Sequence, residues 1–315
     1  MNRILVITPV RHINGISEAL EKIGEVTYFD DPIPKELFNV VKEYDAIFTN
    51  PNKSKVYIGR ELLDESKKLK VVCSASTGTN HIDVDYAIKK GITVLSLTEE
   101  REVIEKISST AEHAFALMMS ALRNIPESFD SVKRGEWDYT KFIGRQLDQL
   151  TVGVVGFGRL GRMFSGYCKS FGSKVIVYDP YANIPSDFDQ VDLSSLLKNS
   201  DVISIHIHVN DETKSMIDKS WFSLLKEDVL IVNTSRGEVI NERELISFLG
   251  KNPESKYATD VVSGEVIDRN NSEVISKLFE LNNIIITPHI GGMTKEAQRI
   301  AYNHSASMLK SYLIN

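Results

Sequence analysis

The chain has 315 residues, 42% of them hydrophobic and 25% charged, with a formal net charge of −6 at pH 7 and a pI near 5.7. That is ordinary globular composition at a length suited to about two domains. It offers no basic face to nucleic acid, and no run approaches the ~18 apolar residues of a membrane span.

Taken from the N-terminus, the apolar run in Met1 to Pro9 is too short for a signal peptide and reads as a first strand, Ile4–Ile7. Further strands are expected at Ala46–Thr49, Val71–Ser74 and Thr93–Leu95. Helices fall between them, such as Pro34–Glu43, with proline in the first turn, and Val84–Lys90, closed by Gly91. Lys53 and Lys55, after Thr49, are positioned to meet a phosphate or second carboxylate, or else are simply solvated. The loop Ser74 to Asn80, with Ser76, Thr77 and Gly78 inside it, is small and polar; it can present consecutive N–H groups to an anion or be a plain turn. Ser109-Thr110-Ala111-Glu112 has the form of a capping box. It opens a helix striped with Ala114, Phe115, Leu117, Met118, Ala121 and Leu122. Pro126 marks a bend, a second helical stretch runs to Arg134, and the whole insert is expected to cross between domains.

A second series of strands follows at Thr151–Val155, Val175–Tyr178, Val202–Ile207, Val229–Asn233, Tyr257–Thr259 and Ile284–Ile286. An amphipathic helix over Thr294 to Leu313 can pack back on the first domain. Strands alternating with helices predict the α/β class: two Rossmann-like, doubly wound parallel sheets, the cofactor domain inserted in the substrate domain. The expected bounds are 1–98 plus 288–315 for the substrate domain and 99–287 for the cofactor domain. Cys73 and Cys168 lie in apolar surroundings without a Cys-x-x-Cys partner, as reduced thiols of a cytosolic protein do.

The second series opens on Gly156-Phe157-Gly158-Arg159-Leu160-Gly161. A buried strand precedes this G-x-G-x-x-G, a helix follows, and the next strand ends on Asp179, which together make a dinucleotide-binding unit. Gly156 permits the tight turn, Gly158 lets a pyrophosphate approach the backbone, and Gly161 lets helix and strand pack closely. The N–H groups and dipole at the helix start favour phosphate. Asp179 can accept hydrogen bonds from ribose hydroxyls and would repel a 2′-phosphate, so the expected cofactor is NAD rather than NADP.

Three strand ends downstream carry groups able to manage a hydride acceptor. Arg236 offers a guanidinium for a carboxylate. Histidine as a residue type titrates near neutrality, and His289 fits the job of delivering or taking the proton of a keto or hydroxyl oxygen. Glu265 can orient that imidazole and favour its charged form, raising its pKa. Each residue alone is more often a surface charge, a loop acid or a loop histidine. In the order Arg, Glu, His at successive strand ends of a dinucleotide-binding sheet, they form a catalytic set.

Residues 70–295 resemble the D-isomer-specific 2-hydroxyacid dehydrogenase family, which includes phosphoglycerate, glycerate and hydroxypyruvate/glyoxylate enzymes. The resemblance rests on Thr110-Ala111-Glu112-His113-Ala114, Gly144-Arg145-Gln146-Leu147, Ser204-Ile205-His206, Asn233 to Gly237, Asp260 to Glu265, and Pro288 to Gly292. It implies Arg236, Glu265 and His289 as the catalytic residues of an NAD-dependent oxidoreductase acting on a small D-2-hydroxy acid or 2-oxo acid. It implies cofactor contacts from Arg159, Leu160, Asp179, His206, Thr234, Ser235, Arg236, Asp260, His289, Gly291 and Gly292, with Thr110 near the nicotinamide. It also implies that Ser76, Thr77 and Gly78 hold the substrate carboxylate together with Arg236, and that the protein, cytoplasmic by its cysteines, is a homodimer.

The chain departs from the family pattern in three places. His208 stands where proline is usual, so His206 and His208 share one face of a strand as two metal ligands might; no third ligand is evident, and no metal is expected. Val262 and Val266 replace a usual phenylalanine and proline, which touches loop shape and leaves the glutamate. With its terminal helix running to the last residue, serine feedback of the kind some phosphoglycerate dehydrogenases show is not expected. The alternatives are an NAD-sensing, corepressor-like binding protein, or a phosphite or formate dehydrogenase on the same scaffold. Formate oxidation releases no hydroxyl proton, so Glu265 beside His289 counts against formate.

Overall fold

A computed structural model describes residues 1–51, 56–265 and 273–314. Lys53, Lys55 and Val266 lie outside the described residues. The chain forms two compact units, Met1–Ile107 with Gly292–Asn315, and Ser108–Gly291.

The first unit is built on a five-stranded parallel sheet in the order β2-β1-β3-β4-β5. Its strands are β1 (Asn2–Val6), β2 (Gly24–Tyr28), β3 (Ala46–Thr49), β4 (Val71–Ser74) and β5 (Thr93–Leu95). Successive side chains of a strand point to opposite faces. Ile4 and Val6 enter one apolar cluster with Ala46, Phe48, Val71 and Cys73. Leu5 and Ile7 enter another with Ile47 and Val72. Both faces are covered, so these strands read as continuous apolar runs rather than alternating ones. The Lys295–Ile314 helix closes the first cluster with Ala301, Tyr302, Ala306 and Leu309, as expected from its amphipathic pattern.

The second unit holds a seven-stranded sheet in the order β12-β11-β10-β9-β6-β7-β8. The strands are β6 (Thr151–Val155), β7 (Lys174–Tyr178), β8 (Asp189–Gln190), β9 (Val202–Ile205), β10 (Leu230–Asn233), β11 (Lys256–Thr259) and β12 (Ile284–Ile286). Every pairing is parallel. Val152 and Val154 face a cluster filled by Ala111, Ala114, Met118 and Phe164 from the Ser109–Leu122 and Arg159–Ser170 helices. Ile203, Ile205 and Ile231 face the opposite cluster with Leu245 and Leu249. Each such fully buried aliphatic side chain contributes about 1.5–3 kcal/mol. From β6 the chain proceeds to β7 and β8 on one side, then returns to β9 on the other. The crevice between β6 and β9 is therefore the switch point where open α/β sheets bind ligands.

Several local expectations are corrected. The Pro34–Glu43 helix breaks into Pro34–Phe38 and a 3-10 turn at Val41–Glu43; Asn39 and β-branched Val40 and Val41 are weak helix formers. The residue before the Ser109–Leu122 helix is Ser108, whose hydroxyl donates to Glu112 Oε1 at 2.5 Å, while Ser109 is buried in the first turn. The bend falls at Asn124, held at φ 52°, and Pro126 sits in the first turn of the Ile125–Lys133 helix, where no N–H is needed. Strand β9 stops at Ile205, so His206 and His208 lie beyond it rather than on it.

Candidate active site

The glycine turn leaves β6 at the switch point. Gly156 has φ 92°, and a Cβ there would stand 2.5 Å from the His206 carbonyl oxygen; one on Gly161 would stand 2.0 Å from the Gly156 carbonyl oxygen. Only glycine fits either place. At Gly158, by contrast, a Cβ would meet nothing within 4 Å, which is the open backbone approach that a pyrophosphate requires. Gly158 is also the residue before the helix, with Arg159 and Leu160 opening its first turn.

Asp179, just past β7, reaches back to this turn. Its Oδ2 accepts the Phe157 N–H at 2.7 Å, and its Oδ1 accepts the N–H groups of Tyr181 and Ala182 at 2.8 and 2.9 Å. Three of roughly four acceptor positions on a carboxylate are thus used, leaving capacity on Oδ2 beside the glycine turn. His206 packs beneath the same turn, its ring 5.1 Å from that of Phe164 and its Nε2 2.8 Å from Ser204 Oγ. Burial pushes His206 down to about 3, so the ring stays neutral. Among the described residues no cluster of three His, Cys, Asp or Glu side chains could hold a metal ion.

Strands β10, β11 and β12 are neighbours, and their C-terminal ends carry the other candidates. At the end of β10, buried Asn233 shapes the turn. Its side-chain oxygen accepts from Ser235 N–H and Oγ, and its amide donates to the Arg236 carbonyl at 2.9 Å. Arg236 is half-buried, with Nη1 donating to the Ser235 carbonyl at 2.6 Å. Thr234, before it, is buried.

At the end of β11, Asp260 is 1% exposed and organises the segment after β12. Its Oδ1 accepts the Ile290 N–H at 2.8 Å and the Thr287 hydroxyl at 2.6 Å, and its Oδ2 accepts the Gly291 N–H at 2.7 Å. Its carbonyl accepts the His289 N–H at 2.9 Å. His113 Nε2 adds a contact to Asp260 Oδ1 at 3.3 Å and to Thr287 Oγ1 at 2.9 Å. Burial acts to raise this carboxyl, but the bonds from His113, Thr287, Ile290 and Gly291 outweigh it and hold Asp260 below its usual range. Thr110 lies beside Gly291: a Cβ on that glycine would stand 3.3 Å from Thr110 Cγ2.

His289, at φ 55°, turns its Nδ1 to Glu265 Oε1 at 2.5 Å, both groups largely buried. Glu265 and His289 are therefore brought together, with Arg236 on the adjacent strand end. Asn233, His113 and Thr287 also build the site, although residue type and spacing alone assign them no role. His113 stood within the Thr110–Ala114 motif, but nothing in that motif says what its ring touches.

Ser76, Thr77 and Gly78 belong to the first unit, as does Gly292. The carbonyls of Ala75, Ser76, Thr77 and Gly78 accept hydrogen bonds from Asn50 Nδ2, Leu97 N–H, Thr98 Oγ1 and Ser76 Oγ. The loop is thus fixed by protein donors to its carbonyls.

Residues 115–291 match the NAD binding domain of the D-isomer specific 2-hydroxyacid dehydrogenases. The chain is 34% identical to a D-3-phosphoglycerate dehydrogenase of Methanocaldococcus jannaschii over 99% of its own length and 58% of that protein's. It is 35% identical to a glyoxylate reductase of Thermococcus litoralis, over 90% of this chain and 86% of that one. A crystal structure of D-lactate dehydrogenase from Aquifex aeolicus, complexed with NAD and lactic acid, aligns with a TM-score of 0.84 at 29% identity, covering 99% of this chain and 96% of that one. The glycine turn, its open approach at Gly158 and the carboxylate of Asp179 fit the cofactor that this domain binds, NAD. The chain belongs to the D-isomer specific 2-hydroxyacid dehydrogenase family.

Proposed function

We propose that the protein is an NAD-dependent oxidoreductase that interconverts a small D-2-hydroxy acid and its 2-oxo acid. One observation carries this reading: Glu265 Oε1 sits 2.5 Å from His289 Nδ1 beside the strand end that bears Arg236, in the sheet that carries the glycine turn. When bound, NADH supplies the hydride to C2 of the oxo acid. Glu265 accepts from Nδ1–H, which fixes the imidazole tautomer and its orientation. Nε2 is then the atom that passes a proton to the oxygen on C2, and in the reverse direction takes it back. Arg236 binds the substrate carboxylate through its planar, permanently charged fork. The Ser76 to Gly78 loop of the first unit offers backbone N–H groups to an anion, so that unit is the substrate-binding domain.

Asp179 holds the adenosine ribose through its remaining acceptor capacity and disfavours a 2′-phosphate. Thr110, Thr234, Ser235, Asp260, Gly291 and Gly292 complete the cofactor's surroundings, with Arg159 and Leu160 at the pyrophosphate. His206 supports the turn from below.

A homodimer is part of the same reading. The second unit exposes Ile125, Phe129, Val132, Trp137, Tyr139 and Ile143 within one short stretch, Trp137 at 90%, and such apolar concentration marks an interface. A cytosolic location is supported by Cys73 and Cys168, both buried and free; burial pushes the Cys168 thiol up to about 12.

The test is oxidation of NADH with a panel of 2-oxo acids that includes glyoxylate, hydroxypyruvate and 3-phosphohydroxypyruvate. NAD reduction with formate and with phosphite runs alongside. Turnover with at least one oxo acid is expected. Tight NADH binding with no turnover on any member would establish the binding-protein alternative, and turnover on formate or phosphite alone would establish the other.

A further inference from the structure

The turn that presents Glu265 is held by two carboxylates from another strand end. Ser263 N–H donates to Glu242 Oε1 at 2.8 Å, and Gly264 N–H donates to Glu238 Oε1 at 3.2 Å. Both acceptors follow Arg236 closely in the chain: Glu238 in the 3-10 turn Gly237–Val239, and Glu242 at the start of the Glu242–Lys251 helix. Between them and Arg236 stands Gly237, where a Cβ would lie 2.1 Å from both the Ser263 nitrogen and the Val262 carbonyl carbon. The backbone after Arg236 is thus pressed directly against the backbone before Glu265. Glu242 is 9% exposed, an unusual place for a carboxyl unless it has work to do as an acceptor. Burial raises its carboxyl above the usual range; the Ser263 bonds act against this, and the nearby Glu238 and Glu265 add to it.

We propose that Glu242, seconded by Glu238, is a positioning residue. By accepting the Ser263 N–H, while Glu238 accepts that of Gly264, it locks the Arg236 segment to the Glu265 turn, and so sets the Glu265–His289 contact. The inference rests on the proposed acid–base role of that contact. Without the two acceptors, the Ser263 and Gly264 N–H groups take up water or other partners, and the Glu265 oxygen loses its fixed place opposite Nδ1. A displacement of about 1 Å in such a group costs up to about a hundredfold in rate. Glutamine at 242 keeps an acceptor oxygen and so keeps the lock.

The experiment is NMR of the whole protein with ¹⁵N-labelled histidine, for the wild type, Glu242→Ala, Glu242→Gln and Glu265→Ala, with melting temperature as the check on folding. The wild type shows a low-field Nδ1–H proton from His289, and Glu265→Ala loses it. Folded Glu242→Ala is expected to broaden or lose that proton and to turn over about tenfold more slowly on the best oxo acid, with NADH affinity held within about twofold. Glu242→Gln keeps the proton and stays within about threefold of the wild-type rate. If Glu242→Ala does not fold, Glu238→Ala carries the same expectation at smaller amplitude. An unchanged Nδ1–H proton in the folded alanine variant, or its loss in Glu242→Gln, overturns the positioning role. Its absence from the wild type overturns instead the Glu265–His289 pairing, and the positioning role with it.

Discussion

Holding a histidine at φ 55° strains the backbone, by about 1–3 kcal/mol in residues of this kind. His289 keeps that conformation because its N–H and the two that follow are all given to Asp260, and because its ring is given to Glu265. In the proposed reaction His289→Ala removes the proton donor but no group that the glycine turn needs. Turnover should fall by about 10²–10⁴-fold while the NADH dissociation constant, measured by fluorescence titration, changes little; near-normal turnover would remove His289 as the acid. Asp179 is a second single-residue case. Its carboxylate is already oriented by the Phe157 N–H, so Asp179→Ala should erode the preference for NAD over NADP, read as the ratio of kcat/KM values. An unchanged ratio would argue against a ribose contact. These residues were legible in the sequence because each stands at a strand end in a recognisable motif. The groups behind the Glu265 turn were not: Glu242 and Glu238 look like ordinary acids after an arginine, and only the hydrogen bonds that they accept from the Ser263 and Gly264 N–H groups show what they hold.

Among the elements, the buried parallel strands were the most legible, since burial on both faces writes them as apolar runs. Strand β3, with the sequence Ala46 to Thr49, is buried throughout and falls where the pattern puts it. The two strands that the pattern missed, β2 and β8, are sheet edges. Glu25 in β2 and both residues of β8 are exposed, so neither carries the signal that burial writes. The segment after β12 depends on Asp260, and this dependence has a sign. Asp260 is held below the usual carboxylate range when folded. Its contribution to stability is therefore present at neutral pH and lost as pH falls from that range through its folded-state value. Below about pH 4 the wild-type melting temperature should drop more steeply than that of Asp260→Asn, which has no such proton to take up. Parallel curves would contradict the role assigned to the Asp260 hydrogen bonds.

At the scale of the whole molecule, each unit has its own parallel sheet with apolar clusters on both faces. That much follows from strands alternating with helices along the chain. What the chain assembles into is written less plainly, because exposed aromatic residues such as Trp137 and Tyr139 look the same in a sequence whether covered or bare. If the patch around them is the dimer interface, Trp137→Asp combined with Ile143→Asp should shift the mass seen in light scattering from dimer to monomer at micromolar concentration, with the fold retained. A wild-type monomer, or a variant that stays dimeric, would refute that interface. The proposed reaction fixes where the hydride goes. Reduction of hydroxypyruvate, or of whichever chiral-product oxo acid the panel favours, with NADH deuterated at C4 on the transferred side should give a D-2-hydroxy acid carrying the deuterium at C2. A product of L configuration, or deuterium absent from C2, would contradict it.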